Sequence, residues 1–245
     1  MFLYTRIVLT PSELLLQARL VLLDIDGTLL HYGNGVHGRA IIAACNEITG
    51  SDVAQHFPRI SAGGRTDRYI INELLRLGGV AHDQLDQLFG RIAERSIELT
   101  NAGLTEPNPG WVTPGTHDVL SALRRSQTPI GLVTGNLPTI AEMKLQCAGV
   151  WGHFESQAPL ITGYGDLSED RNDLSRSALR DARTRLDPTI EGDQVVIVGD
   201  TPRDVECAHA IGARCLGVTT GRFTADELRA AGAVHIVNTL EEALS

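Results

Sequence analysis

Apolar residues gather in short unbroken runs along this chain, and each run stops at a polar or glycine-rich turn. Val21-Leu22-Leu23 ends in Asp24-Ile25-Asp26-Gly27-Thr28. Ile130-Gly131-Leu132-Val133 leads into Thr134-Gly135-Asn136, and Val195-Val196-Ile197-Val198 leads into Gly199-Asp200-Thr201. Arg214-Cys215-Leu216-Gly217-Val218 meets Thr219-Thr220-Gly221, and Val234-His235-Ile236-Val237 is a weaker final candidate. Strands that are apolar at every position are buried on both faces, and helical patterns follow most of these runs. The alternation predicts an α/β fold with a parallel sheet covered by helices on both faces. Ligands of such sheets bind beyond the carboxyl ends of the strands, which is where the polar turns lie.

Residues 31–109 break the pattern. Ile41, Ile42, Cys45 and Ile48 recur at helical spacing, as do Ile70, Ile71, Leu74, Leu75 and Leu77. A third set is Leu85, Leu88, Phe89, Ile92 and Leu99. Thr66 with Asp67 suits the start of the second helix, and Gly78-Gly79 suits its stop. An all-helical block between two strands of a parallel sheet predicts an inserted cap over 31–109. The core is then 1–30 with 110–245, and Asn108-Pro109-Gly110 and Pro114-Gly115 mark the return to it.

Asp24 and Asp26 carry the first hint of chemistry. Alternate residues of an extended strand share a face, so both acids can enter one pocket. Two adjacent carboxylates repel unless a cation or a shared proton compensates, which points to a metal-assisted acid or nucleophile site. A strand-turn with solvated acids is the ordinary alternative. Thr201, Pro202 and Asp204 form a capping-box-like helix start, so Asp204 has a structural reading as well as a metal-binding one.

Composition narrows the partners. The 245-residue chain carries a formal charge of −9 and a pI near 5.3. That balance argues against nucleic acid or an anionic membrane surface as the main partner. Cys45, Cys147, Cys207 and Cys215 show no Cys-x-x-Cys pairing, which suits thiols in a reducing compartment. The N-terminus lacks a signal-peptide layout and no segment reaches spanning length without charge, so a cytoplasmic protein is expected. The histidines show no ligand spacing. Lys144 is the sole lysine.

Taken in order, Asp24-Ile25-Asp26-Gly27-Thr28, Thr134-Gly135-Asn136 and Gly199-Asp200-Thr201-Pro202-Arg203-Asp204 resemble the haloacid dehalogenase superfamily. The resemblance is to its phosphatase branch, with a helical cap after the first motif and a Rossmann-like core, and runs from about Leu20 to the C-terminus. It implies a Mg²⁺-dependent phosphatase acting on a small phosphorylated metabolite, with phosphoglycolate-like compounds as the family default, working as a monomer or homodimer. By that resemblance Asp24 is the nucleophile that becomes an aspartyl-phosphate. Asp26 is the acid and base, and should arrive partly protonated. Asp24 and Asp200, with Asp26 and Asp204 beside them, hold the ion. Thr134 offers a hydroxyl, and the turn containing Gly135 and Asn136 offers N–H groups to phosphoryl oxygens at a helix start. Gly27 permits the sharp turn and Thr28 follows it at the substrate.

One element of the family pattern is missing, the lysine closely followed by proline that offsets the charge. Arg171 stands in about the expected place. Lys144 is its rival, on a helix that Pro138 begins, and its side chain leans back toward the site. In the cap, Gly63-Gly64-Arg65-Thr66-Asp67 precedes a helix where resembling caps touch substrate, so Arg65 is a candidate anion contact or a solvated surface residue. A sugar-phosphate mutase of the same superfamily keeps the same core residues. A receiver domain that holds a phosphoryl group without turnover lacks a helical insert. A cap-bearing binding protein without turnover is the third alternative, against which the intact acids speak.

Overall fold

The computed structural model describes residues 9–33, 35–104, 107–157 and 159–245. Its elements in chain order are α1 (Pro11–Leu16), β1 (Leu20–Leu23), α2 (Val36–Thr49), α3 (Asp67–Leu77), α4 (Leu85–Gly103) and α5 (Thr116–Arg125). Then follow β2 (Ile130–Val133), α6 (Pro138–Cys147), α7 (Gly152–Glu155), β3 (Ile161–Gly163) and α8 (Asn172–Arg185). The chain closes with β4 (Val195–Gly199), α9 (Pro202–Ala210), β5 (Arg214–Val218), α10 (Ala225–Ala230) and β6 (His235–Val237).

The strands form one parallel sheet in the order β3-β2-β1-β4-β5-β6. Alternate side chains feed opposite layers. Val21, Leu23, Val196 and Val198 pack with Leu14, Val119, Leu145 and Phe154 on one face. Leu20, Leu22, Val195 and Ile197 pack with Leu174, Ala178, Val205 and Leu228 on the other. This two-sided burial is why the strands read as unbroken apolar runs. Strand β3 was not among the predicted runs. It has only three residues, its middle one is the half-buried Thr162, and it lies at the sheet edge.

The expected helix boundaries follow local chemistry. Thr66 caps α3 by accepting from the Tyr69 N–H, and Gly78 ends it. Thr201 and Asp204 form a reciprocal capping box at α9, with Pro202 in the first turn. Helices α2, α3 and α4 enclose their own apolar cluster around Ile41, Ile71, Leu74 and Ile92. That cluster also takes in Leu137 and Ile140 from the start of α6, so the insert's apolar packing continues onto the sheet-bearing part of the chain. The two connections to the insert run side by side: His31 donates its N–H to Trp111 and Thr113 donates to Leu29, with Leu30 and Val112 bridged. Among the described residues no helix is long and apolar enough to cross a membrane.

Candidate active site

The site forms where β1, β2 and β4 end side by side. Asp24 continues the ladder by donating its N–H to the Val198 carbonyl, 3.0 Å away. Gly27 then turns with φ +90°, and a side chain there would run into the Asp200 carboxylate. Only glycine satisfies both conditions. Asp24, Asp26, Thr134, Gly135, Asn136, Lys144, Arg171 and Arg65 all line one cavity of about 660 Å³.

Both rival cations reach the site, on different acids. Lys144 Nζ donates to Asp26 Oδ2 and to Asn136 Oδ1, each at 2.7 Å. Asn136 Nδ2 in turn donates to Asp26 at 2.8 Å and to Thr134 Oγ1 at 2.9 Å. The Arg171 guanidinium sits 2.9 Å from Asp24 Oδ1 and 2.6 Å from Asp204 Oδ1. It also donates to the Gly64 carbonyl of the insert at 3.0 Å. Sequence reasoning treated these residues as alternatives; the fold gives each its own carboxylate.

Charge does not balance in the Arg171 group. Ligand atoms of Asp24, Asp200 and Asp204 all lie within 4.8 Å of one another, and all three residues are buried. One guanidinium faces these three acids. Burial, opposed by Arg171 and reinforced by Asp204 and Asp26, raises the Asp24 carboxyl to about 7. Burial followed by Asp204 and Asp24 raises Asp200 to about 8. Burial opposes the charge on Arg171, yet Asp204 and Asp24 hold it firmly protonated. A buried, oxygen-only donor set with surplus negative charge suits a hard divalent cation.

Asp26 behaves differently. Burial alone would raise its pKa, but the Lys144 charge and the bonds from Lys144 and Asn136 outweigh that and lower it. Without substrate the Asp26 pKa therefore lies below the usual carboxylate range, whereas the acid role asks for partial protonation when substrate arrives. Its side chain also lies outside the three-acid group.

Asp204 is fully committed. Oδ2 accepts from the Thr201 N–H at 3.0 Å and hydroxyl at 2.7 Å while Oδ1 holds Arg171. Its capping role and its place beside the acids coexist. Thr28, expected at the substrate, is fully buried and turns its hydroxyl toward Asp200 Oδ1 at 3.3 Å.

The sequence reading did not single out four neighbours. The Tyr32 hydroxyl donates to Asp200 Oδ2 at 2.9 Å, and Arg222 stacks over its ring at 4.6 Å. Asp67, 2% exposed, accepts the Leu137 N–H at 2.8 Å and lies 3.1 Å from His37 Nε2. Tyr32 and His37 sit in or beside loops, where no periodicity marks a residue as site-facing. Arg65 stacks on Tyr69 at 4.1 Å, and its Nε is buried without a hydrogen-bond partner.

A HAD-hydrolase-like family model matches residues 172–243. Over 236 residues the chain is 25% identical to "Probable phosphatase IndB" of Dickeya dadantii, covering 91% of this chain and 90% of that protein. These two matches make the chain similar to HAD-like hydrolases. The chain is also 24% identical over 212 residues to a phosphoglycolate phosphatase of Pseudomonas putida, covering 83% of this chain and 70% of that one. A crystal structure titled as a predicted phosphoglycolate phosphatase of Haemophilus somnus superposes with a TM-score of 0.64 at 16% identity. That superposition spans 93% of this chain and 97% of the other, and establishes the shared fold.

Proposed function

We propose that this chain is a Mg²⁺-dependent phosphatase that cleaves small phosphomonoesters through an aspartyl-phosphate on Asp24. The observation carrying this reading is the division of the acids. Asp24 lies with Asp200 and Asp204 in a charge-deficient cluster, while Asp26 is held apart by Lys144. Asp24 and Asp200 are the residues that would hold the ion, which when bound neutralises charge on the transferring phosphoryl group.

An Asp24 oxygen attacks phosphorus as the ester P–O bond breaks, and the leaving oxygen takes a proton from Asp26. A phosphoryl dianion beside Asp26 pushes its pKa back up, the direction this acid role needs. Water then attacks the phosphorus of the aspartyl-phosphate, giving its proton to Asp26 and releasing phosphate and free Asp24. Lys144 steadies Asp26 as a base in that second step. Arg171, Thr134 and the turn at Gly135 and Asn136 orient phosphoryl oxygens, and Arg65 meets a polar group on the substrate. With the insert seated, water other than the reacting molecule is kept out.

Phosphate release from a panel of monoesters, with and without Mg²⁺, tests the proposal. Asp24→Asn should lose at least about 10³-fold in kcat while remaining folded by circular dichroism. Turnover that survives this substitution, or isomerisation of a sugar phosphate with no phosphate released, overturns it.

A further inference from the structure

The cavity is much larger than a phosphoryl group needs, and its two ends differ in chemistry. At one end stand Asp24, Asp26, Asn136, Lys144 and Arg171. Elsewhere the insert contributes hydrocarbon to the lining: Ile41, Ile42, Phe57, Pro58, Ile60 and Ile70. Ile42, Phe57 and Ile70 pack against the insert's own apolar cluster while only partly buried, and all three line the cavity. Burial of an apolar ligand surface there is favourable without any hydrogen bond.

Apart from His31, Tyr32 and His37, acceptor side chains on that wall are few. Among the described residues lining the cavity there is no Glu, Gln or Ser, and the one Asn belongs to the phosphoryl end. Asp67 is 2% exposed, with one carboxylate oxygen held by the Leu137 N–H and His37. The Thr100 hydroxyl donates to the Ser96 carbonyl, 2.7 Å away, and the residue is fully buried. Arg65 and Arg222 can only donate. A polyol brings many O–H donors that need acceptors, and a buried donor without one is penalised.

Building on the phosphatase reading, we infer that the leaving group is an apolar body of about ring size, not a polyol or a short hydroxy acid. A volume of about 660 Å³ falls in the range of pockets that enclose whole organic ligands. The hydrocarbon wall then contributes binding energy remote from phosphorus, which helps to fix the ester in line with Asp24.

The test keeps the leaving-group chemistry constant by using phosphates of primary alcohols: ethyl phosphate, cyclohexylmethyl phosphate and glucose 6-phosphate. Wild type should favour the cyclohexylmethyl ester by at least about tenfold in kcat/KM over either other compound. Phe57→Ala and, separately, Ile42→Ala should each cut the ratio of cyclohexylmethyl to ethyl turnover by about tenfold. Using a ratio within one variant removes any general loss of folded enzyme. Equal or better turnover of ethyl or glucose phosphate overturns this inference and leaves the phosphatase reading standing. A ratio indifferent to both substitutions also overturns it. No release from any ester overturns both readings together.

Discussion

At the scale of single residues, the two cations hold carboxylates for different purposes. Arg171 is 6% exposed, and its partners Asp24 and Asp204 are 5% and 0% exposed. Replacing one member of such a buried group leaves the others uncompensated. Arg171→Leu should therefore cost about 3–5 kcal/mol of stability in a urea titration of the metal-free protein. Lys144 and Asp26 are more open, at 12% and 27%, so Lys144→Met should leave the urea midpoint nearly unchanged. Its effect is kinetic: kcat falls by about 10²-fold, and the pH inflection that depends on Asp26 moves upward because the cation that lowered its pKa is gone. A downward move, or none, would reject the Lys144–Asp26 assignment. That Arg171 and Lys144 were the rival candidates for a cation beside the acids was legible in the sequence. Which acid each one serves was not, because Lys144 and Asp26 are 118 residues apart and only the packing of α6 against β1 joins them.

At the scale of elements, the seating of the insert on the sheet is a matter of backbone approach. Asp67 donates its N–H to Gly135 and Arg68 donates to Gly165, at 2.7 and 3.0 Å. A side chain on Gly135 would overlap the Arg65 carbonyl. The glycine of this turn serves close contact with the insert, a role that no motif spacing reveals. Helix α3 adds Arg76, which grips both oxygens of Glu169 at 2.7 and 2.9 Å. Gly135→Ala should hold the insert off the site, enlarging the radius of gyration in solution scattering and lowering kcat/KM by about 10²-fold through misplacement alone. Compact scattering with full activity would show that the contact is dispensable. The helices themselves were readable from apolar spacing and from Thr66, since both signals act within one turn of the chain.

At the scale of the whole molecule, surplus buried negative charge couples stability to pH. Asp24 and Asp200 are shifted up to about 7 and about 8 from an ordinary 3.8. The folded protein then binds more protons than the unfolded chain between about pH 4 and pH 8, so these groups favour folding less and less as pH rises through that window. Asp26 shifts the other way below this window, and His153 and His235, lowered by burial, oppose the trend only up to about their ordinary 6.5. The metal-free protein should therefore show a Tm in calorimetry that falls from about pH 5 to about pH 8. Added Mg²⁺ should restore the loss most at the alkaline end, where both acids are ionised and free of protons. A Tm that rises with pH in chelator would overturn this account.

Local pattern was enough to determine the parallel sheet, the helical insert, the order of the polar turns and the capping of α3 and α9. Each depends on burial period or on side chains within a few residues of one another. Tertiary structure alone decided the pairing of cations with acids, the Tyr32 hydroxyl over Asp200, the apolar side chains in the cavity lining and the short edge strand β3. These depend on contacts between residues far apart in the chain, and on which partly apolar side chains the core leaves uncovered. Hydrophobic periodicity says that a residue is buried, and only the packed fold says against what.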